Sequence, residues 1–236
     1  MSESKEEYRQ SRFTPPPGAC EILLVRHGES APAVAGESFP LVDGQGDPPL
    51  HPDGEEQARL VGDRLIRSGE RFAAIYVTPL QRTAQTARPL LDALDMEPIV
   101  EPDLREVFLG DWEGGEFRKR AAERDPIIIE MWTQQRWDIV PGGEPQDDFR
   151  ARVHRSIERI AETHPDQTVA VFSHGGVIGE IVRHAAGAER GFVFTDADNA
   201  SISHVVVMPD GRWAVRCFND TSHLGPGYSA TAEPLT

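Results

Sequence analysis

Three short apolar runs, each passing straight into a polar turn, constrain this chain more than anything else in it. Ile22 to Val25 leads into Arg26-His27-Gly28-Glu29-Ser30, Phe72 to Val77 into Thr78-Pro79-Leu80-Gln81-Arg82, and Thr168 to Phe172 into Ser173-His174-Gly175-Gly176. Apolar runs of this length without alternation read as strands buried on both faces, the pattern of a parallel sheet. Open α/β sheets place their ligands at the carboxyl ends of such strands. The first turn puts a guanidinium, an imidazole and a glycine there in succession. An imidazole can attack phosphorus, Arg matches phosphate oxygens with a planar fork, and Gly admits close backbone approach. Alone, the triplet would also suit a charged strand end with a solvated histidine; the two companion turns argue against that.

Helical patterns alternate with the strands. Glu55 to Ser68 carries Ala58, Leu60, Val61, Leu65 and Ile66 at helical spacing, and Asp147 to Thr163 carries Phe149, Val153, Ile157 and Ile160. Pro79 to Leu94 reads as a helix with Thr78 as its N-cap, and Gly176 to Ala186 as one that starts at the His174 turn. Ser201 to Met208 and Trp213 to Phe218 are late strands joined by Pro209-Asp210-Gly211, a hairpin signal. The expectation is an α/β fold: a single-domain three-layer sandwich with a mainly parallel sheet, helices on both faces and one antiparallel edge strand. Residues 1–18, ending in Pro15-Pro16-Pro17-Gly18, read as a flexible leader, 19–224 as the domain and 225–236 as a flexible tail. Residues 31–49 form a long loop after the His27 turn. Residues 114–141, with Ile127-Ile128-Ile129, Met131, Trp132 and Trp137, form an apparent insertion that could cap the site as a lid or pack on itself as a structural subdomain; the lid is the expectation.

A formal net charge of −15 over 236 residues excludes nucleic acid and anionic membrane as natural partners. It also means that an anionic substrate must be captured by a local cluster of Arg, His and backbone N–H groups. Arg118-Lys119-Arg120 could form a basic rim, but reads more simply as the solvated face of a helix. No run of 18 apolar residues is present, and Met1 to Gln10 is too polar for a secretory signal. Two cysteines, Cys20 and Cys217, cannot build a disulfide framework and fit a reducing cytoplasm; both read as small buried hydrophobes.

With Leu104-Arg105-Glu106 ahead of Phe108-Leu109-Gly110-Asp111-Trp112-Glu113-Gly114, the motifs stand in an order that resembles the histidine phosphatase superfamily. That family includes cofactor-dependent phosphoglycerate mutases and many small phosphatases. Weaker matches at Pro49-Leu50 to Ala58, Gly142-Gly143-Glu144 and Asn219 to Leu224 extend the resemblance from Ile22 to Leu224. The resemblance implies a phosphatase that forms a phosphohistidine. His27 would be the nucleophile, Arg26 and Arg82 the phosphate clamps, His174 a second histidine donating to the phosphoryl group, and Glu106 the acid and later the base. Neighbouring cations should keep His27 neutral, and a bond from its other nitrogen should hold the tautomer. Ser30 could add a hydroxyl donor or simply close a local turn. No cofactor and no metal are expected, and His51, His154, His164, His184, His204 and His223 show no ligand spacing. The expected partner is a small phosphorylated substrate; a homodimer stays open.

Two other readings differ in class. Mutases of the family carry Asn six residues after the nucleophile, Tyr three after the acid and Lys eleven after it. This chain has Ala33, Leu109 and Phe117 there, which disfavours phosphoryl transfer to a second hydroxyl. A catalytically silent phospholigand-binding relative is disfavoured because Arg26, His27, Arg82, Glu106 and His174 are all retained.

Overall fold

The computed structural model describes residues 8–195 and 197–225. In chain order, β1 (Cys20–Arg26), β2 (Leu41–Val42) and β3 (Gln45–Gly46) precede α1 (Pro52–Ser68), β4 (Phe72–Val77), α2 (Gln81–Leu94) and β5 (Ile99–Val100). Then come α3 (Glu116–Ala122), α4 (Pro126–Gln134), α5 (Gln146–Thr163), β6 (Thr168–Ser173), α6 (Gly175–Ala185), β7 (Ile202–Val207) and β8 (Trp213–Asp220). The main sheet has the order β5-β4-β6-β1-β7-β8. Strands β5, β4, β6 and β1 are parallel, and β7 runs against both β1 and β8. The mainly parallel sheet with an antiparallel pair at one edge is the expected architecture.

Adjacent residues of the central strands feed opposite layers, as the two-residue period of a strand requires. Leu24, Val169 and Val171 join Phe149, Val153 and Ile157 of α5 and Ile178 and Ile181 of α6. Their neighbours Val25, Ala170 and Phe172 join Val61 and Leu65 of α1 and Leu90 of α2. These two cores make the three layers. A third cluster packs Ile128, Met131 and Val140 of residues 114–141 together with Trp112 and Phe192 from outside that segment.

Two expectations are corrected. Helix α2 starts at Gln81 with Leu80 at its N-cap and no side-chain cap. Thr78 instead closes the preceding turn, its Oγ1 accepting from Leu80 N at 3.3 Å. Cys20 is buried, but Cys217 is exposed because β8 is the sheet's edge. Residues 1–7 of the expected leader and 226–236 of the expected tail lie outside the described residues. Among the described residues, no helix is long and apolar enough to cross a membrane.

Candidate active site

Strand register brings the two histidines together. Arg26 of β1 is paired with Ser173 of β6, so His27 and His174 leave the sheet side by side, and His27 N donates to Ser173 O at 3.0 Å. Their rings pack edge to face with centroids 5.2 Å apart. On the other side of β6, Val77 pairs with Phe172, which brings Thr78 to the same edge. Gly28 is required where it stands: a Cβ there would lie 2.5 Å from Gly54 O, where the His27 turn meets the start of α1.

His27 is held as one tautomer. Gly28 O can only accept, so His27 Nδ1–H donates to it at 2.7 Å and Nε2 keeps its lone pair. The backbone around it is fixed by Gly28 N donating to Thr86 Oγ1 at 3.0 Å and Asn199 Nδ2 donating to His27 O at 2.9 Å. Burial, then the charges of Arg82 and Arg26, push the His27 pKa well below its ordinary 6.5. His174 is pushed down likewise, by burial first and then by Arg82 and His27. Its Nε2 meets Thr78 Oγ1 at 3.0 Å, while Nδ1 is buried and has no partner among the described residues.

The guanidiniums are anchored mainly by backbone carbonyls. Arg26 Nη1 donates to Ala197 O, and Arg82 Nη1 donates to Gly46 O at 3.1 Å. The nearest carboxylate to Arg82 is Asp47, at 3.8 Å. Burial brings the Arg82 pKa down to about 10, still far above neutrality. Glu106 accepts from Gly176 N at 3.1 Å and Val107 N at 3.0 Å. A Cβ on Gly176 would lie 2.6 Å from Glu106 Oε1, and one on Gly175 would lie 3.4 Å from Arg26 Nε. Gly176 therefore leaves room for the Glu106 carboxyl, while a Cβ on Gly175 would only touch Arg26. Ser30 is buried, and its Oγ accepts from Arg118 Nη2 at 2.7 Å.

With this geometry, the family assignment becomes concrete. The model of the histidine phosphatase superfamily (branch 1) matches residues 22–221. The chain belongs to the histidine phosphatase superfamily. It is 36% identical over 204 residues to the bifunctional protein Rv2228c of Mycobacterium tuberculosis, covering 86% of this chain and 54% of that protein. The chain thus spans about half the length of that relative. The metal-independent phosphoserine phosphatase of Arabidopsis thaliana is 32% identical over 224 residues, 91% of this chain and 90% of that protein. Relatives named as phosphoglycerate mutase-like are found too. Among solved structures, Bacillus stearothermophilus YhfR superposes with a TM-score of 0.72 at 27% identity, covering 87% of this chain and all of that one. Together the relatives support phosphatase chemistry in general terms.

Several groups in this histidine phosphatase site escape the sequence reading. Arg118 lies in the run read as a solvated face, yet it turns inward and approaches Arg26 closely enough to feel its charge. Glu113, within the Trp-Glu-Gly motif, accepts from Gly46 N at 2.7 Å and Leu109 N at 2.9 Å, and burial raises its pKa. It thereby ties the peptide that anchors Arg82 to the segment that follows Glu106. Arg152 forks onto Glu144 at 2.6 and 2.8 Å. The same guanidinium donates to the carbonyls of Asp103, Arg105 and Glu106, fixing the backbone that presents the Glu106 side chain. Gly142-Gly143-Glu144 was the visible half of that pair. Glu29, His51 and Asp53 come close enough to share a cation. They are exposed or half-exposed, however, and His51 serves as N-cap of α1.

Proposed function

We propose that the protein is a metal-independent phosphomonoesterase that hydrolyses a small phosphorylated metabolite through a phosphohistidine at His27. One observation carries this reading: a buried imidazole, kept neutral with its Nε2 lone pair free, stands among cations at the carboxyl end of a parallel sheet. The His27 Nε2 lone pair attacks phosphorus, and the bond from phosphorus to the leaving oxygen breaks. Arg26, Arg82 and His174 Nδ1–H hold the equatorial oxygens, where charge accumulates. Glu106 gives its proton to the departing oxygen. Water then attacks the phosphohistidine, Glu106 takes a proton from that water, and the phosphorus–nitrogen bond breaks to release phosphate and neutral His27. The guanidiniums supply the charge, and His174 a further donor, in place of a metal. The reading places the enzyme in the cytoplasm, where the free thiols of Cys20 and Cys217 persist.

Hydrolysis is favoured over transfer by what stands at the three mutase positions. The Phe117 ring lies tilted against Trp112 and Trp137, centroids 6.2 and 6.5 Å away, and packs against the apolar cluster of the insertion. Leu109 packs against the same cluster, and Ala33 offers only a methyl group. Apolar packing stands where a mutase holds polar groups for its three-carbon acid. The test is acid quench after mixing with labelled substrate. An acid-labile, base-stable adduct should form in the wild type and be absent from His27→Ala. Normal adduct formation in the variant would remove His27 from the role. Activity should also survive exhaustive chelation; loss restored by a divalent ion would sink the metal-independent mechanism.

A further inference from the structure

Helix α3 belongs to the insertion, yet one of its side chains reaches the loop that carries the nucleophile. Arg118 Nη2 donates to Ser30 Oγ at 2.7 Å, and Nη1 donates to Ala31 O at 2.8 Å. The start of α3 is locked in place for this reach. Gly115 at its N-cap has φ 105, and a Cβ there would lie 3.1 Å from the Phe39 ring and 3.2 Å from Ala33 Cβ. The Phe39 ring in turn packs against the Arg118 guanidinium, 5.4 Å from its centroid. Lys119 and Arg120 of the same run pair with Glu116 on the surface, whereas Arg118 makes no ion pair among the described residues. A partly buried guanidinium beside Arg26, without a carboxylate of its own, adds positive charge that an anionic ligand can use.

The hydroxyl bond has a direction. Arginine only donates, so Ser30 Oγ accepts from it and the single hydroxyl proton remains for another acceptor. Ser30 is 5% exposed, three residues after His27, and its hydroxyl donates to no protein group among the described residues. We propose that Arg118 is a positioning residue: it orients Ser30 so that the hydroxyl donates to a phosphoryl oxygen at His27, which makes α3 part of the phosphate site. This rests on the phosphohistidine reading above. The insertion then acts on catalysis through one charged hydrogen bond, and phosphate binding and the docking of α3 reinforce each other.

The test is a double-mutant cycle on inhibition by orthovanadate, with Arg118→Met, Ser30→Ala and the pair. A hydrogen bond to a charged group is worth enough that Arg118→Met should weaken vanadate about tenfold or more. Ser30→Ala should cost less, and the pair no more than Arg118→Met alone, because both remove one arrangement. Arg118→Lys should recover part of the loss and serves in the cycle should the Met variant not fold. A second readout separates this from simple anchoring of the loop. His27 faces Arg26 from β1, Arg82 from α2, Arg118 from α3 and the His174 ring from α6. Removing Arg118 should therefore move the acid limb of kcat/KM to higher pH, while Ser30→Ala leaves it in place. Additive losses, or wild-type vanadate affinity with an unmoved limb in Arg118→Met, would overturn the inference. A wild type that neither binds vanadate nor forms the adduct would overturn it together with the phosphohistidine reading; additive losses or an unaffected Arg118→Met, on a wild type that binds vanadate and forms the adduct, overturn the inference alone.

Discussion

Two regions of this molecule bury charge, and they do so in opposite ways. Glu180 of α6 is 4% exposed and closed on all sides. Arg183 donates to it twice at 2.7 Å, His154 meets it at 2.8 Å, and Arg150 lies 3.6 Å away. Burial alone would raise its pKa, but the bonds from Arg183 and His154 more than offset this and bring it down to about 2. At the amino end of the same helix, neutral His174 and His27 face the guanidiniums of Arg26 and Arg82. The carboxylates there, Glu106 and Glu113, are spent largely on backbone N–H groups. The first cluster is closed by its own ion pairs and serves the fold; the second gathers guanidiniums held mainly by carbonyls, with Asp47 3.8 Å from Arg82, and suits an anionic ligand. Gathering like charges in one buried site costs free energy, so such an arrangement persists where an anionic ligand adds counter-charge.

Substitutions should separate the two clusters. The largest effect is expected at the nucleophile: His27→Ala should lower kcat by at least about 10⁴-fold while the melting curve stays cooperative. Steady-state assay beside calorimetry checks this. Next, Glu106→Gln should slow kcat/KM for an alkyl phosphate by about 10²–10⁴-fold and for p-nitrophenyl phosphate far less, since a phenolate leaves unaided. Equal slowing of both substrates would shift the acid role to Glu113. The closed cluster should answer differently. Glu180→Gln removes the charge and one of the two acceptor oxygens that face Arg183, His154 and Arg150, and should cost about 3–5 kcal/mol in urea unfolding, with kcat/KM preserved in the folded fraction.

Ligand and proton linkage give smaller contrasts. Vanadate at a hundredfold excess over its Kd should stabilise the wild type by about 2.7 kcal/mol, and Arg82→Met should lose most of that gain. With pH the signs are set by the folded-state pKa values. His27 and His174 lie well below 6.5 when folded, so the unfolded chain binds their protons first. Their contribution is fully present above pH 6.5 and declines below it, by up to about 1.4 kcal/mol per pH unit for each histidine. Glu180 contributes above pH 4.5 and is lost between there and about 2. Urea titrations at stepped pH should show two stages, with His174→Gln flattening the first and Glu180→Gln the second.

The strands that carry the site were legible because burial on both faces leaves unbroken apolar runs, as in β1, β4 and β6. Arg26, His27 and His174 followed, because each sits one or two positions beyond such a run, whereas Arg82, Ser30 and Glu106 were legible only through the motifs that resemble the family. What escaped was set by tertiary contact or by weak local signals. Strand β5 is two exposed residues, Ile99 and Val100, that only pairing with β4 makes a strand. The β2–β3 hairpin had a local signal, Asp43-Gly44, both with positive φ, hidden inside what reads as a long loop. Helix α1 begins at His51-Pro52, three residues before its apolar pattern starts. Arg118 looks like Lys119 and Arg120 in sequence. Only the position of α3 against Ser30 distinguishes it.

The central claim is that the second cluster keeps its histidines neutral until an anion arrives. Imidazole nitrogen shifts of His27, followed by NMR through a pH titration with and without vanadate, test it most directly. In the free enzyme His27 should remain the neutral Nδ1–H tautomer well below pH 6.5, and bound vanadate should raise its pKa by offsetting Arg26 and Arg82. A free enzyme whose His27 protonates near pH 6.5, with no response to vanadate, would contradict the account.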